Sequence, residues 1–227
     1  GTNGYELWKS DGTQAGTVMV KDINPGGSGS PAYLTVVGTT LYFTADDGTN
    51  GYELWKSDGT NAGTVLVKNI NPGSSNGIDP NQNYHFASIG TTLYFSGNNG
   101  TNGIELWRSD GTTAGTFMVK DIDPSWMGSP RSLTVLGTIL YFNANNGTNG
   151  NELWRSDGTA AGTFMVKDIN PGGSGYPQYL TAVGTNLYFS ADDGTNGIEL
   201  WRSNGTQAGT VMVKDINPGG SGSPAYL

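Results

Sequence analysis

Apolar and polar residues alternate along short stretches of this chain, which is the two-residue period of a half-buried β-strand. Near the N-terminus, stretches rich in β-branched and aromatic side chains cover residues 33–37, 40–45, 5–10 and 17–23. Gly38, between the first two of these stretches, suits a tight hairpin turn. No stretch shows a helical period, so the pattern predicts an all-β protein built from short hairpins.

The strand pattern recurs along the chain. A Glu-Leu-Trp-Lys/Arg tetrad occurs five times, and its tryptophans are Trp8, Trp55, Trp107, Trp154 and Trp201. Their spacings are 47, 52, 47 and 47 residues, so one copy carries a five-residue insertion. The repeat units are 1–47, 48–99, 100–146, 147–193 and a partial unit, 194–227. Four strands in about 47 residues is the size of a β-propeller blade. We therefore expect one β-propeller domain, 1–227, of about five four-stranded blades.

The length of the chain bears on the last blade. Five complete copies with the insertion need 240 residues, which is 13 more than the 227 present. The residues without a counterpart in the last copy correspond to 35–47 of the first. We expect the two N-terminal strands to belong to a fifth blade that is incomplete, or that is completed by another chain, and therefore an open blade edge.

The second hairpin of each unit has a register that can be predicted. If Ser10 pairs with Thr17, then Trp8 lies opposite Met19 and Glu6 opposite Lys21. The same rule predicts five structural pairs: Glu6 with Lys21, Glu53 with Lys68, Glu105 with Lys120, Glu152 with Lys167, and Glu199 with Lys214. These glutamates are then expected to be ionised and structural rather than catalytic.

Composition excludes several classes of function. The net charge is −8, charged residues are only 13% of the chain, and there is no cysteine. We therefore expect neither nucleic-acid binding nor membrane insertion, and no thiol chemistry. The only histidine is His85, and no Gly-x-Ser-x-Gly segment is present. Together with the paired glutamates, these observations predict that the protein is not an enzyme.

A family resemblance follows from the repeated motif. Residues 6–13 read ELWKSDGT and residues 15–17 read AGT, and this pattern recurs in every unit with one departure, Asn204. The chain resembles the bacterial ELWxxDGT repeat family over essentially its whole length. That resemblance implies an exported or surface-displayed bacterial protein and no defined enzymatic activity. Five-bladed propeller lectins are similar in repeat length and number but not in motif, so no sugar-binding residue carries over.

One turn in each unit is rich in oxygen ligands. Asp46 and Asp47 precede Gly-Thr-Asn-Gly, and Asp192 and Asp193 repeat the arrangement. Carboxylates crowded into one turn are the donors that Ca²⁺ prefers. Two other copies carry asparagine at both positions, and Asp, Asn and Gly are also the residues that a turn with positive φ requires. Two interpretations therefore remain open: a Ca²⁺ site, or an ordinary turn in a protein with no cofactor.

Ligand-binding candidates lie where the otherwise similar copies differ. The repeated tryptophans are expected in the core between blades. In a propeller, the loop entering the first strand and the loop between the second and third strands lie on the same face. On that face the variable candidates are Tyr84, His85, Trp126, Arg131, Tyr176 and Gln178. Loops on a rigid scaffold commonly carry binding sites.

Two hypotheses of function follow. The first is a non-enzymatic, lectin-like binding or adhesion module, secreted or at the bacterial cell surface, which recognises a glycan or surface polymer through several similar sites. The second is a structural subunit of an extracellular fibre or surface scaffold that self-associates through the open blade edge.

Overall fold

The computed structural model describes residues 3–81, 86–125 and 128–227. Within these ranges every regular element is a β-strand, arranged as one two-stranded and four four-stranded antiparallel sheets. Successive strands are neighbours in each sheet, which is the arrangement of β-propeller blades. The predicted fold, an all-β propeller, is confirmed.

We number the blades in chain order. Blade 1 comprises β1 (Leu7–Lys9) and β2 (Val18–Lys21). Blade 2 comprises β3 (Ala32–Val37), β4 (Thr40–Asp46), β5 (Tyr52–Ser57) and β6 (Val65–Lys68). Blade 3 comprises β7 (Ala87–Ile89), β8 (Thr92–Asn98), β9 (Ile104–Ser109) and β10 (Phe117–Lys120). Blade 4 comprises β11 (Arg131–Leu136), β12 (Ile139–Asn145), β13 (Asn151–Ser156) and β14 (Phe164–Lys167). Blade 5 comprises β15 (Gln178–Val183), β16 (Asn186–Asp192), β17 (Ile198–Ser203) and β18 (Val211–Lys214).

The register of the outer hairpin is confirmed at the tryptophan and wrong at the glutamate. Trp8 lies opposite Met19 as predicted, but a bulge between Leu7 and Trp8 places Leu7, and not Glu6, opposite Lys21. The same shift occurs in the other four blades. The extra residue of a bulge turns the preceding side chain away from its expected partner.

All five predicted glutamate–lysine pairs are therefore corrected. Each glutamate carboxylate accepts hydrogen bonds from backbone N–H groups of its own blade and the loop that follows. The lysines of blades 2, 3 and 4 instead donate to carbonyls of the next blade. The residues concerned are Glu6, Lys21, Glu53, Lys68, Glu105, Lys120, Glu152, Lys167, Glu199 and Lys214. The glutamates thus stabilise loops, and the lysines of blades 2, 3 and 4 join neighbouring blades.

The hydrophobic core lies between blades. Four clusters each combine residues from the strands of one blade with residues from the strands of the next. Trp55, Trp107, Trp154 and Trp201 are buried in these clusters, as expected. Trp8 is the exception, because its indole is exposed on the face of blade 1.

Candidate functional site

The loops predicted to share one face meet there. The backbone N–H of Asp192, at the end of β16, donates to the carbonyl of Gly175 in the loop before β15, at 2.8 Å. In blade 4 the N–H of Asn145 donates to the Gly128 carbonyl at 2.9 Å. Each entering loop is therefore fixed to the end of the second strand of the blade it enters.

A buried glutamate fixes the loop that enters β15. The Glu152 carboxylate accepts hydrogen bonds from the backbone N–H of Ile169, at 2.8 Å, and of Gly175, at 2.7 Å. The next N–H, that of Tyr176, donates to the carbonyl of Asn151 at 3.0 Å. Burial raises the pKa of Glu152 to about 7, because the low-dielectric interior disfavours the charged carboxylate. These hydrogen bonds fix the position of the loop, so that Tyr176 lies at the rim of blade 5.

The backbone beyond these hydrogen bonds is left-handed at two positions around the start of the first strand of blades 4 and 5. In blade 4 these are Ser129 and Ser132, with φ of 44° and 56°, and in blade 5 they are Tyr176 and Tyr179, with φ of 44° and 54°. A residue other than glycine in this region costs roughly 1–3 kcal/mol, and such residues cluster at binding sites. The surrounding hydrogen bonds hold the strained segment in place.

A cavity of about 930 Å³ opens between β11 and β15, and we call it the 4/5 cleft. Its lining includes Arg131, Ser132, Asn143, Tyr176, Gln178 and Tyr179. Tyr226 completes one wall, with its ring centroid 5.4 Å from that of Tyr179. Tyrosine rings beside a charged guanidinium and amide groups form an amphipathic surface, which suits a ligand with both apolar faces and hydroxyl groups.

Asn143 supplies a buried acceptor at the cleft. The side chain is 6% exposed, and its Nδ2 donates to the Pro177 carbonyl at 3.1 Å. Its Oδ1 is buried and accepts no hydrogen bond from any residue that the structure describes. A buried acceptor without a donor costs about 1–3 kcal/mol, so a small rotation of the amide that brings Oδ1 to the cavity surface would let a ligand hydroxyl recover that energy.

Three of the six predicted binding residues come together in this cleft: Arg131, Tyr176 and Gln178. Tyr84, His85 and Trp126 lie outside the described residues. The prediction did not include Ser132, Asn143 or Tyr179. Ser132 and Tyr179 occupy the repeat position of His85, so variation at that position was a usable signal for them.

The corresponding place between blades 2 and 3 is filled by the chain itself. The Tyr33 hydroxyl donates to the Pro80 carbonyl across the boundary, at 3.0 Å. Its ring centroid lies 5.9 Å from that of Phe86, which in turn packs against Phe95. Tyr33 and Ser132 occupy the same repeat position and share a φ of 56°. Ser132 has no ring to reach the next blade, and the loop entering blade 5 lacks the five-residue insertion that carries Pro80, so the 4/5 cleft is open.

The aspartates of the calcium hypothesis serve as turn acceptors. Asp46 accepts the Gly48 N–H at 2.7 Å, and Asp47 accepts the N–H groups of Thr49 and Asn50 at 2.9 and 2.8 Å. Asp192 and Asp193 make the same contacts in blade 5. These bonds hold the pKa of Asp47 and of Asp193 below the usual value against the effect of burial. In the described ranges, no group of three or more Asp, Glu, His or Cys side chains is placed to hold a metal ion.

Comparison with known proteins identifies the fold and no family. No family model matches the chain, and no curated protein does. A structure titled for two prolyl endopeptidases has a TM-score of 0.54 at 12% identity, over 92% of this chain and 30% of that one. A puromycin hydrolase has a TM-score of 0.49 at 15% identity, over 90% of this chain and 32% of that one. TolB from Acinetobacter baumannii has a TM-score of 0.45 at 15% identity, over 73% of this chain and 38% of that one. The chain therefore spans about a third of the length of each of these proteins.

These matches correct one prediction. The sequence indicated that the chain is not an enzyme, whereas the prolyl endopeptidases, which are enzymes, contain a similar fold. At 12–16% identity the similarity concerns the fold alone. Among the described residues, no helix is long and apolar enough to cross a membrane.

Proposed function

We propose that this protein binds a saccharide or a saccharide-bearing surface polymer in the 4/5 cleft, as a secreted or surface-displayed adhesion module of a bacterium. The observation that carries the proposal is the buried, unpartnered Oδ1 of Asn143 in a cavity walled by Tyr176 and Tyr179. Tyrosine faces pack against the C–H faces of sugar rings, while hydroxyl groups donate to acceptors such as this oxygen.

Arg131 and Gln178 define the polar side of the same cleft. A guanidinium forms strong, charge-assisted hydrogen bonds with carboxylates, so we expect acidic sugars to bind more tightly than neutral ones.

The experiment is a glycan array followed by calorimetric titration of the strongest oligosaccharide, with trigalacturonate and chitotriose as acidic and neutral standards. The matched variant is Asn143→Ser, because Ser96 at the same position of blade 3 donates to the Pro130 carbonyl at 2.5 Å. This variant should keep the bond to the next blade and lose the amide acceptor, which should weaken binding about fivefold. No response from any saccharide, or equal affinity in the variant, would contradict the proposal.

A second function, assembly into an extracellular scaffold, is favoured by a different observation. Blade 1 is a two-stranded sheet whose tryptophan face is exposed, while the equivalent faces of the other blades are buried. An exposed apolar sheet face with an open edge favours association with another β-element. Light scattering over a hundredfold range of protein concentration tests this function, and a monomer throughout would contradict it.

A further inference from the structure

The edge of β1 lies beside a groove of about 540 Å³ that Tyr5, Trp8, Pro31 and Leu34 help to line. In blades 2 to 5 the third strand pairs on this side with the second strand of its own blade. Within the described residues, β1 pairs with β2 alone. The four complete blades therefore show what kind of element fits against β1.

The register in those blades is constant. A Leu-Tyr-Phe segment on the second strand places its phenylalanine opposite the tryptophan of the third strand: Phe43 with Trp55, Phe95 with Trp107, Phe142 with Trp154, and Phe189 with Trp201. The tyrosine of the segment lies opposite the residue after the tryptophan. On β1 those two partners are Trp8 and Lys9.

Three observations indicate that a further strand fits against β1, and the first is the exposure of Trp8. Its side chain is 57% exposed, whereas the other four repeated tryptophans are 5–6% exposed. A second sign lies across the groove, where Leu34 is 53% exposed and its equivalents Leu133 and Leu180 are 8% exposed. Leu133 and Leu180 pack in clusters with Tyr94 and Tyr141, the tyrosines of the preceding blades' Leu-Tyr-Phe segments.

A third sign comes from a turn of blade 2. A methyl group placed on Gly111, Gly158 or Gly205 would meet the hydroxyl of Tyr42, Tyr94 or Tyr141 of the preceding blade. The same group on Gly59 has nothing within 4 Å. The Gly59 carbonyl also accepts a hydrogen bond from Lys9 Nζ at 2.8 Å, as the Gly111 carbonyl does from Lys56. The turn that contains Gly59 therefore has the same position relative to the preceding blade as the turn that contains Gly111.

We propose that the groove beside β1 binds the first hairpin of a repeat unit of this kind, of the sequence found in residues 33–47. A single Leu-Tyr-Phe strand accounts for all three signs: its phenylalanine packs beside Trp8, its tyrosine covers Leu34, and the tyrosine hydroxyl reaches Gly59. The main-chain bonds come from strand addition to an open edge, and the side chains select the sequence. This inference deepens the second function proposed above, because it names the element that the open blade accepts.

The test uses the full chain and a synthetic peptide of residues 33–47. A control peptide carries Ser in place of both Tyr42 and Phe43. We expect the first peptide to bind in a one-to-one complex, to protect Trp8 from acrylamide quenching, and to bind at least about tenfold more tightly than the control. The quenching of Trp8 is obtained by difference from a Trp8→Phe chain.

Two variants of the chain complete the design. Trp8→Ala should abolish binding of the peptide, and its exposure means that the fold should be retained. Val213→Ala, an exposed apolar residue on blade 5, should leave binding unchanged. Equal binding of the two peptides, no binding by either, or no effect of Trp8→Ala would overturn the inference.

Light scattering separates this inference from scaffold assembly. If the peptide binds while the chain alone stays monomeric, the groove assignment stands and the scaffold function fails. If the chain self-associates and the peptide neither binds nor competes with that association, assembly stands and the groove assignment fails.

Discussion

Two boundaries between blades are built from the same repeat, but one is an open cleft and the other is a packed contact. At the 4/5 cleft, Ser132 leaves a cavity of about 930 Å³ open beside Tyr176 and Gln178. Between blades 2 and 3, Tyr33 reaches Pro80 and packs on Phe86. The two boundaries thus differ in the side chain at one repeat position and in the loop that faces it, because Pro80 lies in the five-residue insertion that blade 5 lacks. The repeats alone predict similar binding sites at every boundary between blades. The difference between these two boundaries instead predicts one principal binding site, at the 4/5 cleft.

The largest expected effect is closure of the cleft by Ser132→Tyr. A tyrosine is compatible with the backbone here, because Tyr33 and Tyr179 have φ of 56° and 54° at the same repeat position. Its ring should occupy the cavity as Tyr33 does between blades 2 and 3. We expect saccharide binding to fall below detection in calorimetry, with thermal stability unchanged or raised.

The control for closure is Ser132→Ala, which should bind the saccharide as the wild type does. If Ser132→Tyr folds and binds with unchanged affinity, the ligand lies elsewhere on the molecule.

The reciprocal change, Tyr33→Ser, should open the other boundary. It removes a hydrogen bond to Pro80 and an aromatic contact with Phe86, so the free energy of unfolding should fall by about 1–3 kcal/mol. Urea unfolding measures this loss, with affinity for the saccharide at the 4/5 cleft expected to stay constant. A variant as stable as the wild type would show that Tyr33 is not what packs this boundary.

A smaller effect is expected from Arg131→Gln. The guanidinium provides the positive charge of the cleft, so its removal should weaken binding of an acidic sugar such as trigalacturonate about tenfold. Binding of neutral chitotriose should change much less, and the salt dependence of trigalacturonate binding should decrease. Equal losses for the two sugars would indicate that Arg131 maintains the shape of the site rather than its charge.

The smallest expected effect concerns the buried glutamates, which are alike at the two boundaries. Burial raises the pKa of Glu152, before the 4/5 cleft, and of Glu53, before the other boundary, to about 7 in both cases. Between about pH 4.5, the ordinary value, and pH 7, the folded state holds the proton that the unfolded state has lost. The free energy of unfolding should therefore fall as pH rises through that window and level off above it.

Glu152→Gln and Glu53→Gln should each flatten this slope to a similar extent in urea unfolding at a series of pH values. Asp157→Asn is the control, because hydrogen bonds from Thr159 hold the pKa of Asp157 below 3.8, which places its titration outside the window. Burial also raises the pKa of Glu105 to about 7, so part of the slope should remain in the double variant. A slope equal to that of the wild type in each glutamate variant would contradict the assignment of these groups.

The sequence predicted the fold well because strand period and repeat length are local signals. The pairing of Trp8 with Met19 followed from alternation alone. The partner of Glu6 did not, because a bulge shifts the register by one residue without changing the composition of either strand. The carboxylate instead accepts the N–H groups of Ile23 and Gly29, a contact that depends on how the loop folds back.

The site was predicted in part for a related reason. Arg131, Tyr176 and Gln178 differ from their counterparts in the other repeats, and that variation is visible in the printed sequence. The importance of Ser132 could not be predicted in the same way. It follows from the contact that Tyr33, at the same repeat position, makes with Pro80 across a blade boundary, and that contact is visible only in the three-dimensional structure. The unpartnered oxygen of Asn143 likewise appears only when every neighbouring donor is placed.

The most direct test of the central claim is a crystal structure of the chain with the oligosaccharide that gives the strongest array response. The account predicts a sugar ring in the 4/5 cleft, in contact with Tyr176 or Tyr179, with a hydroxyl group within hydrogen-bond distance of Asn143 Oδ1. A sugar bound at the boundary of Tyr33 and Phe86, or at any place outside the 4/5 cleft, would contradict it.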